Sequence, residues 1–365
     1  MTRWLMTLAL AGALATGCES AQEREPGPGG LSANEPPPAK RPGADLKTDA
    51  YAVLLEAVAS GQPPLQCLAA ETFLDAEQLP QRNQFDPLAD TSDPRVRATV
   101  VALLGMTRSS TLIPLLRRKQ QDAEPTVRLA AAFGLAMAGD PSQVTALRDA
   151  LAAPDVTQRR TAAWLLGLMG NASAVGMLRV KLDDPDAIVV LRTAEAMHRL
   201  GSNDGLDVVR ALTENERHQI RYYATRLLGH MGTTADIPRL ERLYQSRYLD
   251  VKFAAVAALA ELGDLKRIEV LLEMVDAPDA QTRVLAAREL GETGYTPALE
   301  RLASLLGRSD PLERTTAAAA IVRISSAKTS WRSRVLVDQP PPPLPGDTGV
   351  IPKAGTAPAA PALPR

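Results

Sequence analysis

Histidine and cysteine are nearly missing from this chain, with three and two among 365 residues. Two cysteines exclude a disulfide scaffold and a multi-cysteine metal site. Three histidines scattered at His198, His218 and His230 build no obvious catalytic or metal-binding constellation. Aromatic residues are only 4%. A mix led by Ala, Leu, Val and Arg favours helices packed through small residues over a β-sheet. An excess of either charge is absent as well. Lys plus Arg number 41 against 42 Asp plus Glu, a net charge of −1. That balance is not the footprint of a nucleic-acid binder. No apolar run is long enough to span a bilayer permanently; Leu5–Leu14 is the nearest approach and is short.

That short run has the layout of a targeting segment. Arg3 gives the positive start, the apolar stretch follows, and Leu14-Ala15-Thr16-Gly17 leads into Cys18. The string resembles the lipobox of bacterial lipoproteins, with its leucine one residue further from the cysteine than in the best-known pattern. The resemblance implies cleavage after residue 17 and lipidation of Cys18. An ordinary signal peptide with a cysteine near its cleavage site is the alternative. Residues 18–45 are rich in Pro, Gly, Glu and Ala and lack apolar periodicity, as a tether between anchor and domain would. A flexible tether of that length reaches roughly 30 Å on average. Cys67 is then the one remaining thiol and reads as buried.

The middle of the chain is dense with repetition. Stepping by 31 residues from Arg283 meets Arg97, Arg128, Arg159, Val190, Arg221, Lys252 and Arg314. Seven residues after each anchor stands a large apolar residue: Leu104, Leu135, Leu166, Met197, Leu228, Leu259, Leu290, Ile321. Eleven residues after come Gly139, Gly170, Gly201, Gly232, Gly263 and Gly294, with Arg108 and Ser325 in the two outer repeats. A fixed period this long marks a repeat array. Each unit predicts two helices. The second, B, starts at a polar cap such as Asp93, Asp155, Asp186 or Asp279, sometimes with Pro at the first helical position, and ends at the glycine. The first, A, carries pairs such as Val144 with Leu147 and Ile268 with Leu271. The register extends upstream into a divergent capping unit over 46–92, whose segment 77–92 breaks the pattern. Residues 93–326 hold the repeats, and terminal units are expected to differ because one face meets water. The Pro- and Ala-rich tail at 327–365 cannot pack a core and reads as disordered, either a spacer or a polyproline ligand.

The string at Asp93–Gly105, Val127-Arg128 with Ala130–Ala132, and Ala162-Ala163 with Leu166-Gly167 is similar to HEAT repeats, in particular the short phycobilisome-lyase type. The resemblance implies an all-α protein: a right-handed α-solenoid of helix pairs, about eight repeats plus the N-terminal capping unit, with A helices outside and B helices lining a concave face. It says little about activity. Di-iron hydroxylases built on HEAT repeats carry His-Glu dipeptides, whereas here His is followed by Arg199, Gln219 and Met231. No catalytic residue, cofactor or metal is assigned, and the chain reads as a binder, not an enzyme.

Two sets of residues compete for a function. The basic ladder Arg97, Arg128, Arg159, Arg221, Lys252, Arg283 and Arg314 sits near the acidic caps and reads as structural, holding neighbouring units in register. The B positions that should face the concave side form a patch in the middle repeats: Phe133, Met137, Trp164, Leu168, Arg192, Glu195, Arg199, Tyr223, Arg226 and His230. Aromatics and arginines give large contact area and suit a protein or peptide interface. Core packing of the aromatics is the competing reading. The expectation is therefore a lipid-anchored envelope protein, on the periplasmic side of either membrane or at the cell surface, that holds a protein or peptide on its concave face. The alternative is an enzyme accessory or lyase-like factor holding a small ligand in the groove.

Overall fold

The computed structural model describes residues 45–76 and 82–326. The leader, Cys18, most of the tether and the tail lie outside the described residues. Within them every regular element is helical. The inner layer holds α2 (Pro63–Asp75), α3 (Pro94–Met106), α5 (Pro125–Met137), α7 (Val156–Leu168), α9 (Ala187–Arg199), α11 (His218–Met231), α13 (Leu249–Glu261), α15 (Ala280–Thr293) and α17 (Pro311–Ser326). The outer layer holds α1 (Leu46–Ala59), α4 (Ile113–Lys119), α6 (Val144–Ala150), α8 (Ala174–Arg179), α10 (Leu206–Leu212), α12 (Ile237–Tyr244), α14 (Ile268–Met274) and α16 (Ala298–Leu305). This is an all-α solenoid of HEAT-like helix pairs. The irregular stretch before α3 is two short 3₁₀ turns, Arg82–Gln84 and Asp86–Asp90.

The caps explain where the inner helices begin. Asp93, Asp155, Asp186 and Asp279 each accept an N–H of the first turn, as Asp279 does from Thr282 at 2.7 Å. Glu124 does not cap α5 with its side chain. Before α12 the capping residue is Thr233, in a capping box with Asp236. At the turns after the inner helices, Gly139, Gly170, Gly201, Gly263 and Gly294 take positive φ, as the left-handed C-terminal turn requires. Gly232 does not; its φ is −71°. Arg108 occupies the same place with φ of 53°, a strained choice for a residue with a side chain.

The inner layer has a second, longer period that the 31-residue step conceals. A Cβ on Gly105 would lie 2.5 Å from the Gly134 Cα; on Gly167, Gly229 and Gly291 it would lie 2.8 Å from the Cα of Ala196, Ala258 and Ala320. These glycines recur every second repeat. They bring α3 onto α5, α7 onto α9, α11 onto α13 and α15 onto α17, backbone against backbone, while the junctions between pairs are looser. The solenoid is a chain of tight helix-pair doublets.

The two ends meet. α17 packs on both α1 and α2, and Arg314 donates to the Glu56 Oε2 at 2.6 Å, across 258 residues. Every residue from Thr315 to Ile324 is buried. Tyr51 of α1 stacks on Phe73 of α2 at 5.7 Å, and Phe73 meets Phe85 edge-on. This corrects the expectation that the terminal units face water: the capping unit covers the last repeat and closes the array into a ring.

Candidate functional site

Closure changes what the B-helix face is. Phe133, Met137, Trp164, Leu168, Arg192, Glu195, Tyr223, Arg226 and His230 are all buried, and the Arg199 side chain is only 9% exposed. The expectation of an open concave groove is corrected on this point. The inner positions of one repeat are covered by those of the others, because the ring is drawn tight around its own axis.

Two chemically different halves share this interior. The α5 and α7 positions carry Phe133, Met137, Trp164 and Leu168, which join the hydrophobic core. The equivalent positions of α9, α11 and α15 are Glu195 and Arg199, Arg226 and His230, and Arg288 and Glu292. In α9, Arg192 donates to Glu195 at 2.9 Å, and Arg199 pairs with the same carboxylate. Across α11 and α15 the network is denser. The Tyr222 hydroxyl donates to the Glu289 Oε1 at 2.7 Å and accepts from Arg226 at 3.0 Å. Arg226 also meets Glu292 at 2.7 Å, and Arg288 donates to Glu289 at 3.1 Å. The Arg226 and Arg288 guanidinium carbons lie 5.8 and 5.3 Å from the centre of the Tyr222 ring. His230 pairs with Glu261 through Nδ1, and its Nε2 lies 3.9 Å from Glu292.

Burial sets the electrostatics. It lowers the Arg192 pKa against the pull of Glu195 and Glu71. Burial works against the Arg226 charge too, but Glu289 and Glu292 outweigh it and hold the pKa above the usual arginine value. Burial raises Tyr223 to about 12 and Tyr222 further, despite the nearby arginines, so both phenols stay protonated donors. The Arg192 field reaches Glu71 of α2, which is 1% exposed. The patch read from the sequence leaves out Glu71, Tyr222, Glu261 and Glu289. One signal was present for Glu261: the position nine residues after the anchor is polar in five successive repeats, Arg199, His230, Glu261, Glu292 and Arg323.

The basic ladder lies elsewhere, on the rim at the inner-helix starts. Arg97, Arg128, Arg159, Arg221 and Arg283 each donate through NH1 to the two carbonyls five and six residues before them, locking the linker to its helix. Three also reach the next unit. Arg97 holds Asp122 at 2.8 Å, Arg159 holds Asp184 at 2.9 Å and Arg283 holds Glu313 at 2.7 Å. Lys252 sits 5.0 Å above the Tyr244 ring, and Arg314 makes the closing pair. Cys67 is buried, and burial first of all raises its thiol pKa. Among the described residues no group of three His, Cys, Asp or Glu is arranged for a metal ion, and no helix is long and apolar enough to cross a membrane.

None of the curated proteins compared with the chain matches it. Among solved structures, YibA of Escherichia coli is 15% identical, with 77% of this chain and 98% of that one covered and a TM-score of 0.38. The CpcE–CpcF complex of phycocyanin lyase from Nostoc sp. PCC7120 is 20% identical over 71% and 96%, with a TM-score of 0.31. Human deoxyhypusine hydroxylase in complex with glycerol is 16% identical over 77% and 97%, with a TM-score of 0.30. The family profile for HEAT repeats matches residues 86–163, 151–221, 211–283 and 268–330 in overlapping windows. These windows run without a gap through the whole repeat array, and the chain belongs to the HEAT-repeat family.

Proposed function

We propose that this chain is a protein-binding scaffold, held at a bacterial envelope membrane by lipidated Cys18, whose inner B-helix face, covered in the closed ring, is the surface a partner reaches when the ring opens. One observation carries the reading. The same template positions are filled with Phe, Met, Trp and Leu in α5 and α7 but with Arg, Glu and His in α9, α11 and α15. The apolar filling builds the ring well enough. Placing Arg192, Arg199, Arg226 and Arg288 with Glu195, Glu289 and Glu292 in the interior costs desolvation that aliphatic side chains would not. The charged half is therefore kept for recognition, and recognition of a charged partner needs charges of both signs held in fixed geometry. HEAT repeats as a class commonly mediate protein interactions, which supports a protein partner in general.

The test is capture of envelope proteins by the mature chain against an Arg226→Met/Glu292→Met chain. Paired replacement of both ends of a buried ion pair is often neutral or stabilising, and a circular dichroism melt of the variant beside the capture separates lost binding from lost folding. Loss of specific partners from the double variant is the expected result; the same partners captured by both chains overturns the reading. The anchor is checked separately by mass spectrometry of the mature N-terminus beside a Cys18→Ser variant, which would lack the acyl mass. A small ligand released on denaturing the purified wild-type chain, with no partner captured, would favour the accessory-factor reading instead.

A further inference from the structure

Three arginines of the rim ladder use the guanidinium in one way. In Arg97, Arg159 and Arg283, Nη1 is spent on linker carbonyls. The Nε–Nη2 edge takes a carboxylate of the next unit, from Asp122, Asp184 or Glu313, in paired hydrogen bonds of 2.7–3.0 Å. That fork-to-carboxylate match is among the strongest contacts an arginine makes. Arg221 spends Nη1 likewise, on the Asn215 and Glu216 carbonyls. Where Asp122 and Asp184 stand 25 residues after Arg97 and Arg159, Arg221 has Ser246. No carboxylate among the described residues pairs with Arg221; its guanidinium carbon lies instead 5.2 Å from the centre of the Tyr248 ring. Lys252, the next cation of the ladder, also has a ring for a neighbour, Tyr244 at 5.0 Å, and no carboxylate among those residues.

Tyr248 is the centre of a surface patch at this end of the α11–α13 doublet. Its ring stacks on His218 at 4.3 Å with the planes 1° apart. The exposed Arg247 lies 4.8 Å from the same ring and donates to its hydroxyl at 2.7 Å. Leu249, next in the chain, is 41% exposed, one of three large apolar side chains left in water among the described residues. The two segments that build the patch, 215–221 and 246–252, carry Arg217, Arg221, Arg247 and Lys252 against Glu216 and Asp250, His218 left out of the count. Four positive charges thus face two negative ones, in a chain whose net charge is −1. Arginine and tyrosine around an exposed apolar residue suit a protein interface, and a guanidinium already laid on a ring has less freedom to lose on binding. We propose that this patch docks an acidic peptide segment of a partner protein, with one carboxylate of the segment on the Nε–Nη2 edge of Arg221. The ladder itself is the precedent, because three sister arginines already hold a carboxylate on that edge. An anionic membrane fits less well, since its unbroken negative plane would press on Glu216 and Asp250, whereas a peptide can match each charge singly. The site is open in the closed ring, so it stands apart from the inner face.

The probe is a fluorescein-labelled peptide of repeated Glu-Glu-Leu, titrated into the full mature chain by anisotropy, with the Gln-Gln-Leu peptide as its uncharged counterpart. The acidic peptide is expected to bind about tenfold more tightly than the neutral one, and less tightly as salt rises. Arg221→Lys keeps the charge but loses the fork, and should weaken the acidic peptide about tenfold. Arg247→Ala, at an exposed side chain bonded only to Tyr248, should weaken it as well and serves if the first variant misfolds. Arg128→Ala is the control, because Arg128 makes the same linker hydrogen bonds three repeats earlier; it should bind as the wild type does. The Arg226→Met/Glu292→Met chain should also bind the peptide normally, which keeps this site separate from the scaffold reading. Failure of the acidic peptide to bind, equal binding of both peptides, or wild-type affinity in both patch variants overturns the proposal. So does an equal loss in Arg128→Ala, or binding to phosphatidylglycerol vesicles with none to the peptide.

Discussion

Replacing Arg226 by Met on its own tests whether the charged interior is sealed from water. The side chain is 2% exposed, against 0% for Glu289 and 2% for Glu292. After the change Glu289 keeps the Tyr222 hydroxyl and Arg288. Glu292 loses the guanidinium that lay 2.7 Å away, with the His230 Nε2 still 3.9 Å from it. Both carboxylates lose the Arg226 charge, Glu292 its pair at 2.7 Å and Glu289 its neighbour at 3.6 Å. Leaving a buried charge without its partner costs about 3–5 kcal/mol, which for a domain of this size lowers the melting temperature by roughly 10 °C. The Arg226→Met/Glu292→Met chain removes both charges, and such paired replacements are neutral or stabilising by about 1–4 kcal/mol. Urea unfolding followed by circular dichroism reads both. A single-variant loss below about 1 kcal/mol would mean that water reaches Glu292. A double variant no more stable than the single would refute the claim that the pair, not the arginine's packing, sets the cost.

Three further outcomes follow from other parts of the fold. Arg108→Gly relieves a left-handed backbone at a repeat turn that lacks glycine, and should stabilise the chain by about 1 kcal/mol in urea titrations. Gly229→Ala drives a Cβ to 2.8 Å from the Ala258 Cα and should destabilise by about 1–3 kcal/mol, where Gly176→Ala, with open space around it, should cost nothing measurable. The rim acids give a pH dependence: burial pushes Asp184 up, but Arg159, the Asp186 amide and Lys181 outweigh it, so its folded pKa lies below the ordinary value. A carboxyl depressed in the folded state contributes stability that is fully present above its unfolded pKa, about 3.9, and is lost as pH falls through the folded pKa. Unfolding midpoints should hold from neutral pH down to about 5 and fall below about 4. Arg159→Ala should flatten that acid limb; an unchanged limb would show that the ladder pair contributes nothing there.

The helices and their order were legible because each unit repeats the same local instructions: an acidic cap, an apolar pair one turn apart, a small residue between them and a glycine to stop. Ring closure was not legible. It depends on the face of α17 fitting α1 and α2, and no periodic feature links Glu56 to Arg314. The doublets were within reach, since Gly105, Gly167, Gly229 and Gly291 stand in every second repeat, but the 31-residue step averages them away. For the interior, the aromatic and charged residues named on the inner helices of the middle repeats all lie buried or nearly so. Their exposure was misjudged, because whether an inward position meets solvent or another repeat is set by the curvature of the whole array, a sum of small rotations that no single unit displays.

The charged interior itself follows from one quiet unit. Tyr222 on α11 and Glu289 on α15 are 67 residues apart, with all of α13 between them in the chain, yet they share a hydrogen bond of 2.7 Å. That contact requires α13 to offer no bulk on its inner face. Ahead of Glu261, which pairs with His230, α13 carries the buried Ala254, Ala257 and Ala258, and Ala258 lies against the backbone of Gly229 in the tight α11–α13 doublet. The alanines of α13 thus do for the site what the glycines do for the doublets: by staying small they let long polar side chains from the flanking helices meet over them. Enlarging Ala257 should break the Tyr222–Glu289 hydrogen bond while leaving the caps, ladder and turns untouched. An Ala257→Leu chain should lose stability by about 1–3 kcal/mol from overpacking. If the Arg226 network recognises the partner as proposed, the same chain should also lose partner capture, whereas Ala260→Leu, on the same helix at a half-buried position, should leave capture unchanged.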